Sequence, residues 1–122
     1  MKTLSAILLL SLVTISYQSF SQSDSLKRRE LLNAYCDSVI HACTTAIKIN
    51  PKAAEAYCKR GIAYYTGDNY DNYGKALADL SKAIELRPNY ADAYYYRAKI
   101  YLYLLQIDLD KVREYSNKSD SH

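Results

Sequence analysis

Histidine and glycine are scarce in this chain, and their scarcity limits the chemistry that it can perform. The 122 residues include two histidines, three glycines and two prolines, and tryptophan is absent. Neither His41 nor His122 has a serine, cysteine or aspartate at the spacing of a catalytic motif, and there is no glycine-rich loop for phosphate. The cysteines form no C-x-x-C pair and no zinc-binding spacing with histidine. The sequence therefore predicts no catalytic residue, no metal site and no cofactor.

The chain also has no concentrated block of charge. It contains 16 basic and 13 acidic residues, which are interleaved, and the only basic run is the short cluster at residues 27–29. Interleaved charges are typical of a solvated surface, whereas nucleic-acid binding needs a basic patch or stripe. The sequence therefore predicts that the protein does not bind nucleic acid.

The first 21 residues have the features of a secretory signal peptide. Lys2 precedes an apolar run at residues 4–15, and small residues flank Phe20. Cleavage is predicted between Ser21 and Gln22. The apolar run is shorter than the roughly 20 residues that cross a bilayer, so an uncleaved anchor is the alternative. We expect an exported protein, periplasmic or secreted, with no membrane contact after cleavage.

A period of 37 residues organises the rest of the chain. Within each repeated set, spacings of three, four and seven residues place the residues so spaced on one face of a helix. The first set and its later copy are Tyr57, Arg60, Gly61 and Tyr64, then Tyr94, Arg97, Ala98 and Tyr101. The second set and its earlier copy are Ala76, Leu80, Ala83 and Pro88, then Val39, Cys43, Ala46 and Pro51. The period predicts pairs of helices.

This pattern resembles the tetratricopeptide repeat (TPR), whose signature is W-x-x-L-G-x-x-Y, then A-x-x-x-F, then P. Tyr57 stands for the tryptophan, Arg60 for the leucine and Leu80 for the phenylalanine. The resemblance implies an all-α fold of antiparallel helix-turn-helix repeats, an α-solenoid, that binds a protein or peptide without catalysis. The three residues beyond the usual period of 34 are assigned to the turn at residues 67–74, which lacks the spacing of a calcium loop.

About two and a half repeats are expected within a helical domain at residues 22–115. The first repeat is degenerate, and the third has no regular second helix, because the positions equivalent to Ala76 and Leu80 are Arg113 and Asn117. One long helix to about Glu114 is predicted instead. Residues 116–122 are polar and are predicted to be a disordered tail.

The tyrosines divide into a buried stripe and a groove. The stripe is predicted to contain Tyr57, Tyr64, Tyr94 and Tyr101. In the family, the other side of each first helix lines a concave groove. Position by position, the resemblance assigns to that groove Glu55, Cys58, Ile62, Tyr65, Asp92, Tyr95, Lys99 and Leu102. Such a mixture suits a peptide better than a phosphate chain. Cys58 and Ile62 stand where two residues of the family's carboxylate clamp would be, which disfavours a chaperone's C-terminal tail.

The cysteines leave their redox state open. Cys36 and Cys43 lie about 10.5 Å apart along a helix that rises 1.5 Å per residue, and a disulfide needs Cα atoms within roughly 7 Å. Any bridge must therefore involve Cys58, which is predicted to face the groove and to be a candidate for a mixed disulfide or a dimer.

The alternative function is a structural subunit. At least about three repeats are usually needed for a stable stack. The irregular third repeat could therefore complete its helix stack against another copy, which makes a homo-oligomer possible.

Overall fold

The structure is a computed structural model that describes residues 2–67 and 69–120. Over these residues the chain forms four α-helices and no strand: α1 (Lys2–Ile49), α2 (Ala54–Thr66), α3 (Tyr73–Leu86) and α4 (Ala91–Asp120). A single 3-10 turn, Tyr70–Asn72, precedes α3. The all-α helix-turn-helix architecture predicted from the period is confirmed.

The helix boundaries follow local turn chemistry. Pro51 follows the end of α1, and Pro88 follows the end of α3, since proline cannot continue an arriving helix. At the first junction the side-chain oxygen of Asn50 accepts a hydrogen bond from the backbone N–H of Lys52 at 3.1 Å. In the longer turn before α3, the side chain of Asn69 accepts one from the N–H of Asp71 at 3.0 Å.

The chain divides into two compact units, Met1–Tyr35 and Cys36–His122. In the first unit the large apolar side chains of residues 4–20 are all exposed. Helix α1 is long and apolar enough to cross a membrane, and a signal sequence near an N-terminus meets the same criterion. The predicted cleavage after Ser21 lies within α1, and export remains a prediction.

The second unit is built around α3, which packs against both α2 and α4. Its largest fully buried side chains are Leu80, Ile100 and Cys58, one from each of the three helices. Small residues surround them, with Ala76, Ala83 and Ala93 also fully buried. Burying Leu80 and Ile100 contributes roughly 1.5–3 kcal/mol each relative to exposure, so these helices are held together mainly by this core.

Gly61 lets α2 and α3 approach closely. A Cβ atom at this position would lie 2.9 Å from Cγ of Leu80 and 3.1 Å from the carbonyl oxygen of Ala76. The contact is possible because Gly61 has no side chain and Ala76, on the facing helix, has a small one. The equivalent residue Ala98 is exposed on α4.

Two predicted members of the buried stripe are in fact exposed. The exposed fraction is 43% for Tyr94 and 55% for Tyr101, whereas their equivalents Tyr57 and Tyr64 pack against the core. The cause is the missing second helix: α4 runs on to Asp120, and among residues 2–67 and 69–120 no further helix covers this side. The Tyr94 hydroxyl instead donates to the carbonyl of Pro88 at 2.9 Å.

The long last helix extends beyond its predicted end at Glu114. The structure continues α4 through residues 116–120, which were predicted to be a disordered tail. Charged pairs one turn apart support this extension, since Lys118 pairs with Glu114 at 2.8 Å. Residues 121 and 122, also assigned to the tail, lie outside the described residues.

Candidate functional site

A cluster of tyrosine rings joins α2, α3 and α4. We call it the tyrosine cluster; its members are Tyr65, Tyr73, Tyr95, Tyr96 and Tyr103. Tyr65 lies 5.7 Å from Tyr73 and 6.1 Å from Tyr96 between ring centroids. Tyr73 in turn meets the edge of Tyr103 at 5.4 Å. Tilted and edge-to-face pairs at these distances are the favoured aromatic geometry, so the cluster fixes one surface of the helix stack.

Lys99 places its ammonium group against three of these rings. Its Nζ lies 5.7, 5.4 and 5.7 Å from the centroids of Tyr65, Tyr95 and Tyr96, respectively. A cation within about 6 Å of a ring centroid is attracted by the negative face of the ring. The three contacts hold a single positive charge at a defined place on α4, beside α2.

Part of this surface is open to a partner. Tyr95 is 58% exposed and Leu102 is 65% exposed. Leu102 lies three residues after Lys99, which puts the two on one side of α4. The structure therefore brings Tyr65, Tyr95 and Lys99 into contact, with Leu102 beside them on the same helix. These are four of the eight residues that the resemblance assigned to the groove.

The two predicted carboxylates stand apart from the cluster. Glu55 lies in the first turn of α2, and Asp92 lies in the first turn of α4. Asp92 is about 10 Å from Lys99 along the axis of α4. Glu55 pairs with Lys59 at 2.7 Å, and this hydrogen bond and charge lower the pKa of Glu55. Both carboxylates are exposed, so the surface has an acidic end and a cationic, aromatic end.

Cys58 and Ile62 do not form part of an open groove. Cys58 is only 1% exposed and belongs to the core, and Ile62 is half-buried and packs against that core. The reason is the approach of α4, since Ile100 of that helix and Tyr90, the residue before it, pack in the same core as Cys58. The assignment of Cys58 to a peptide-contacting position is corrected accordingly.

The thiols are protected by burial. All three cysteines are free and buried, and burial is the main reason that the pKa of each thiol is raised. A thiol with a raised pKa stays neutral at pH 7, and the neutral thiol is a poor nucleophile. The structure therefore gives Cys58 no access to a mixed disulfide or to a dimer link.

An ion pair between α2 and α3 was not predicted. Arg60 donates from Nε and Nη2 to the two oxygens of Asp79 at 2.7 and 2.8 Å, and from Nη1 to the hydroxyl of Thr44 on α1 at 3.1 Å. The hydrogen bond with Asp79 is the main reason that the pKa of Arg60 is raised. The sequence contains the signal for this pair. Arg60 lies on the apolar stripe of α2, and Asp79 lies on the apolar stripe of α3, with the opposite charge.

Two members of the tyrosine cluster were also missed. Tyr73 begins α3 at the end of the inserted turn, and Tyr96 lies beside Tyr95 on α4. Neither position belongs to the groove that the resemblance assigned, and the 37-residue period relates them to Cys36 and Lys59.

Known proteins support the repeat assignment over part of the chain. A family described as "TPR repeat" matches residues 71–104, which contain α3 and the first half of α4. Serine/threonine-protein phosphatase 5 from Homo sapiens and from Rattus norvegicus are each 37% identical over 76 residues. That alignment covers 62% of this chain and 14% of each phosphatase, and nothing in it shows catalytic activity here. No solved structure matches the chain significantly. Residues 71–104, with the helix pairing seen in the structure, are a tetratricopeptide repeat.

Proposed function

We propose that the protein is a non-catalytic scaffold that binds an extended peptide segment of a partner protein on the tyrosine cluster. The observation that carries this proposal is the exposure of Tyr95 and Leu102 around the fixed ammonium of Lys99. Tetratricopeptide repeats generally mediate protein–protein interactions, and aromatic residues are enriched among the residues that dominate binding energy.

The chemistry of the surface suggests what the peptide must provide. An apolar or aromatic side chain of the peptide would cover Tyr95 and Leu102 and remove their apolar surface from water. Lys99 would donate a hydrogen bond to a carbonyl or carboxylate oxygen beside that side chain. The rings already hold Lys99 in place, so binding would cost little further side-chain ordering.

The binding prediction is tested with peptides selected on the full chain from a displayed peptide library. Replacing Tyr95 or Tyr65 by alanine is expected to weaken a selected peptide by about tenfold or more, since truncating a central interface residue typically costs over 1 kcal/mol. The matched control is Tyr115→Ala, because Tyr115 is an exposed tyrosine on α4 away from the cluster. Equal affinity in all three variants would place the binding surface elsewhere.

We also propose that the protein is exported and that residues 1–21 are removed. The support is the apolar character of residues 4–15, whose large side chains are 60–65% exposed and contribute nothing to the buried core. N-terminal sequencing of the protein recovered from outside the cytoplasm is expected to start at Gln22. A start at Met1 would instead favour an uncleaved membrane anchor.

A further inference from the structure

One side of α4 carries opposite charges a short distance apart. Asp92, Tyr95, Lys99 and Leu102 follow one another at spacings of three, four and three residues, which place them on one face of the helix. Asp92, Tyr95 and Leu102 are exposed, and Lys99 is half-buried. Along α4 this side therefore presents an anion, an exposed ring, a cation and an apolar side chain, in that order.

The positive charge of Lys99 is not neutralised by any carboxylate that the structure describes. Its ammonium group contacts three tyrosine rings, and a ring attracts a cation without carrying a net charge. Among residues 2–67 and 69–120, no acidic side chain forms an ion pair with Lys99. Attraction between charges is stronger where water is partly excluded, so this half-buried ammonium favours an anion from a partner.

Asp92 provides the opposite charge at the start of α4. The other carboxylate of the acidic end, Glu55, is already paired with Lys59 at 2.7 Å. No basic side chain in the described part of the chain forms such a pair with Asp92. Arg87, just before α4, instead lies over the ring of Tyr90, 4.4 Å from its centroid. Asp92 is therefore available to a basic side chain of a partner.

The separation of these two charges sets the spacing of the ligand. Asp92 and Lys99 are about 10 Å apart along the helix axis. An extended peptide advances about 3.3 Å per residue, so about three residues of a bound segment span the two charges. The exposed ring of Tyr95 lies between the charges and can contact an intervening side chain.

We propose that the tyrosine cluster selects a dipolar peptide segment, in which an acidic side chain binds Lys99 and a basic side chain about three residues away binds Asp92. An apolar side chain between them covers Tyr95. This inference rests on the proposed function and adds the charges and the register of the ligand to it. A carboxylate is preferred to a neutral carbonyl at Lys99, because a hydrogen bond to an ionised group is about twice as strong as a neutral one.

The test uses peptides selected on the full chain from a displayed library of random octapeptides. The selected sequences are expected to share an acidic and a basic residue about three positions apart. Replacing the acidic residue of a peptide by its amide should weaken binding to the parent protein about tenfold. The same replacement should weaken binding to Lys99→Met by less than about twofold, because the partner charge is already missing. Lys99→Arg keeps the charge and should respond as the parent does.

The contact at Asp92 is tested in the same way. Replacing the basic residue of the peptide by glutamine should weaken binding to the parent more than binding to Asp92→Asn. The matched controls are Lys111→Met and Asp108→Asn, which neutralise exposed residues further along α4 and should respond to both peptide changes as the parent does. Melting curves establish that each variant is folded.

The outcomes separate this inference from the proposed function. Selected peptides without paired charges would overturn the inference, and so would an equal loss of affinity in the parent and in Lys99→Met or Asp92→Asn. If Tyr95→Ala still weakens the same peptides, the proposed binding surface stands without the charge selection. If Tyr95→Ala binds them as tightly as the parent does, the proposed function fails as well.

Discussion

Replacing Arg60 by alanine is expected to lower the free energy of unfolding by about 3 kcal/mol, because it leaves the Asp79 carboxylate buried without its partner. The side chains of Arg60 and Asp79 are only 18% and 9% exposed, and two hydrogen bonds join them. For a domain of this size the melting temperature would fall by more than about 10 °C. Urea denaturation followed by circular dichroism measures the loss.

The double variant separates the ion pair from packing. Arg60→Leu combined with Asp79→Leu is expected to be more stable than Arg60→Leu alone, since a buried ion pair can often be replaced by apolar residues at little cost. The control is Lys59→Ala, which breaks the exposed pair with Glu55 and should change stability by less than about 1 kcal/mol. If Lys59→Ala lowers the free energy of unfolding as much as Arg60→Ala does, the buried ion pair has no special role in stability.

Replacing Gly61 by leucine is the second large change. A Cβ atom alone would come within 2.9 Å of Leu80 Cγ and 3.1 Å of the backbone oxygen of Ala76, and the backbone cannot move away without displacing α3. Overpacking of this kind typically costs about 1–3 kcal/mol. The melting temperature measured by differential scanning calorimetry should therefore fall.

The matched control for Gly61→Leu is a glycine without neighbours. Gly74 lies in the first turn of α3, and nothing is within 4 Å of a Cβ atom placed there. Gly74→Ala is expected to stabilise the protein by about 0.4–1 kcal/mol, because it restricts only the unfolded chain. An unchanged melting curve for Gly61→Leu would mean that α2 and α3 do not pack in the register described.

The sequence was informative where a feature repeats. The two copies of the first repeated set fall on α2 and α4, and the copies of Ala76, Leu80 and Ala83 fall on α3 and α1, as the period predicted. The resemblance placed Tyr65, Tyr95 and Lys99 on one surface, and the structure brings Lys99 against both rings; their role in binding stays a prediction.

The failures occurred where a neighbouring helix decides exposure. Cys58 and Tyr95 occupy equivalent positions in their repeats, yet Cys58 is covered by α4 and Tyr95 by nothing, because no further helix follows α4 among the described residues. The exposure of Tyr94 and Tyr101 has the same origin. A repeated pattern specifies which face a residue lies on, and the number of neighbouring repeats decides whether that face is buried.

The central claim is that the tyrosine cluster binds a peptide, and the affinity of a selected peptide for Tyr95→Ala and Tyr115→Ala tests it most directly. Both substitutions remove an exposed tyrosine ring from α4, so they differ in position and not in chemistry. Isothermal titration calorimetry is expected to show binding weakened about tenfold or more by Tyr95→Ala and unchanged by Tyr115→Ala. Unchanged binding to Tyr95→Ala, or an equal loss in both, would contradict the account.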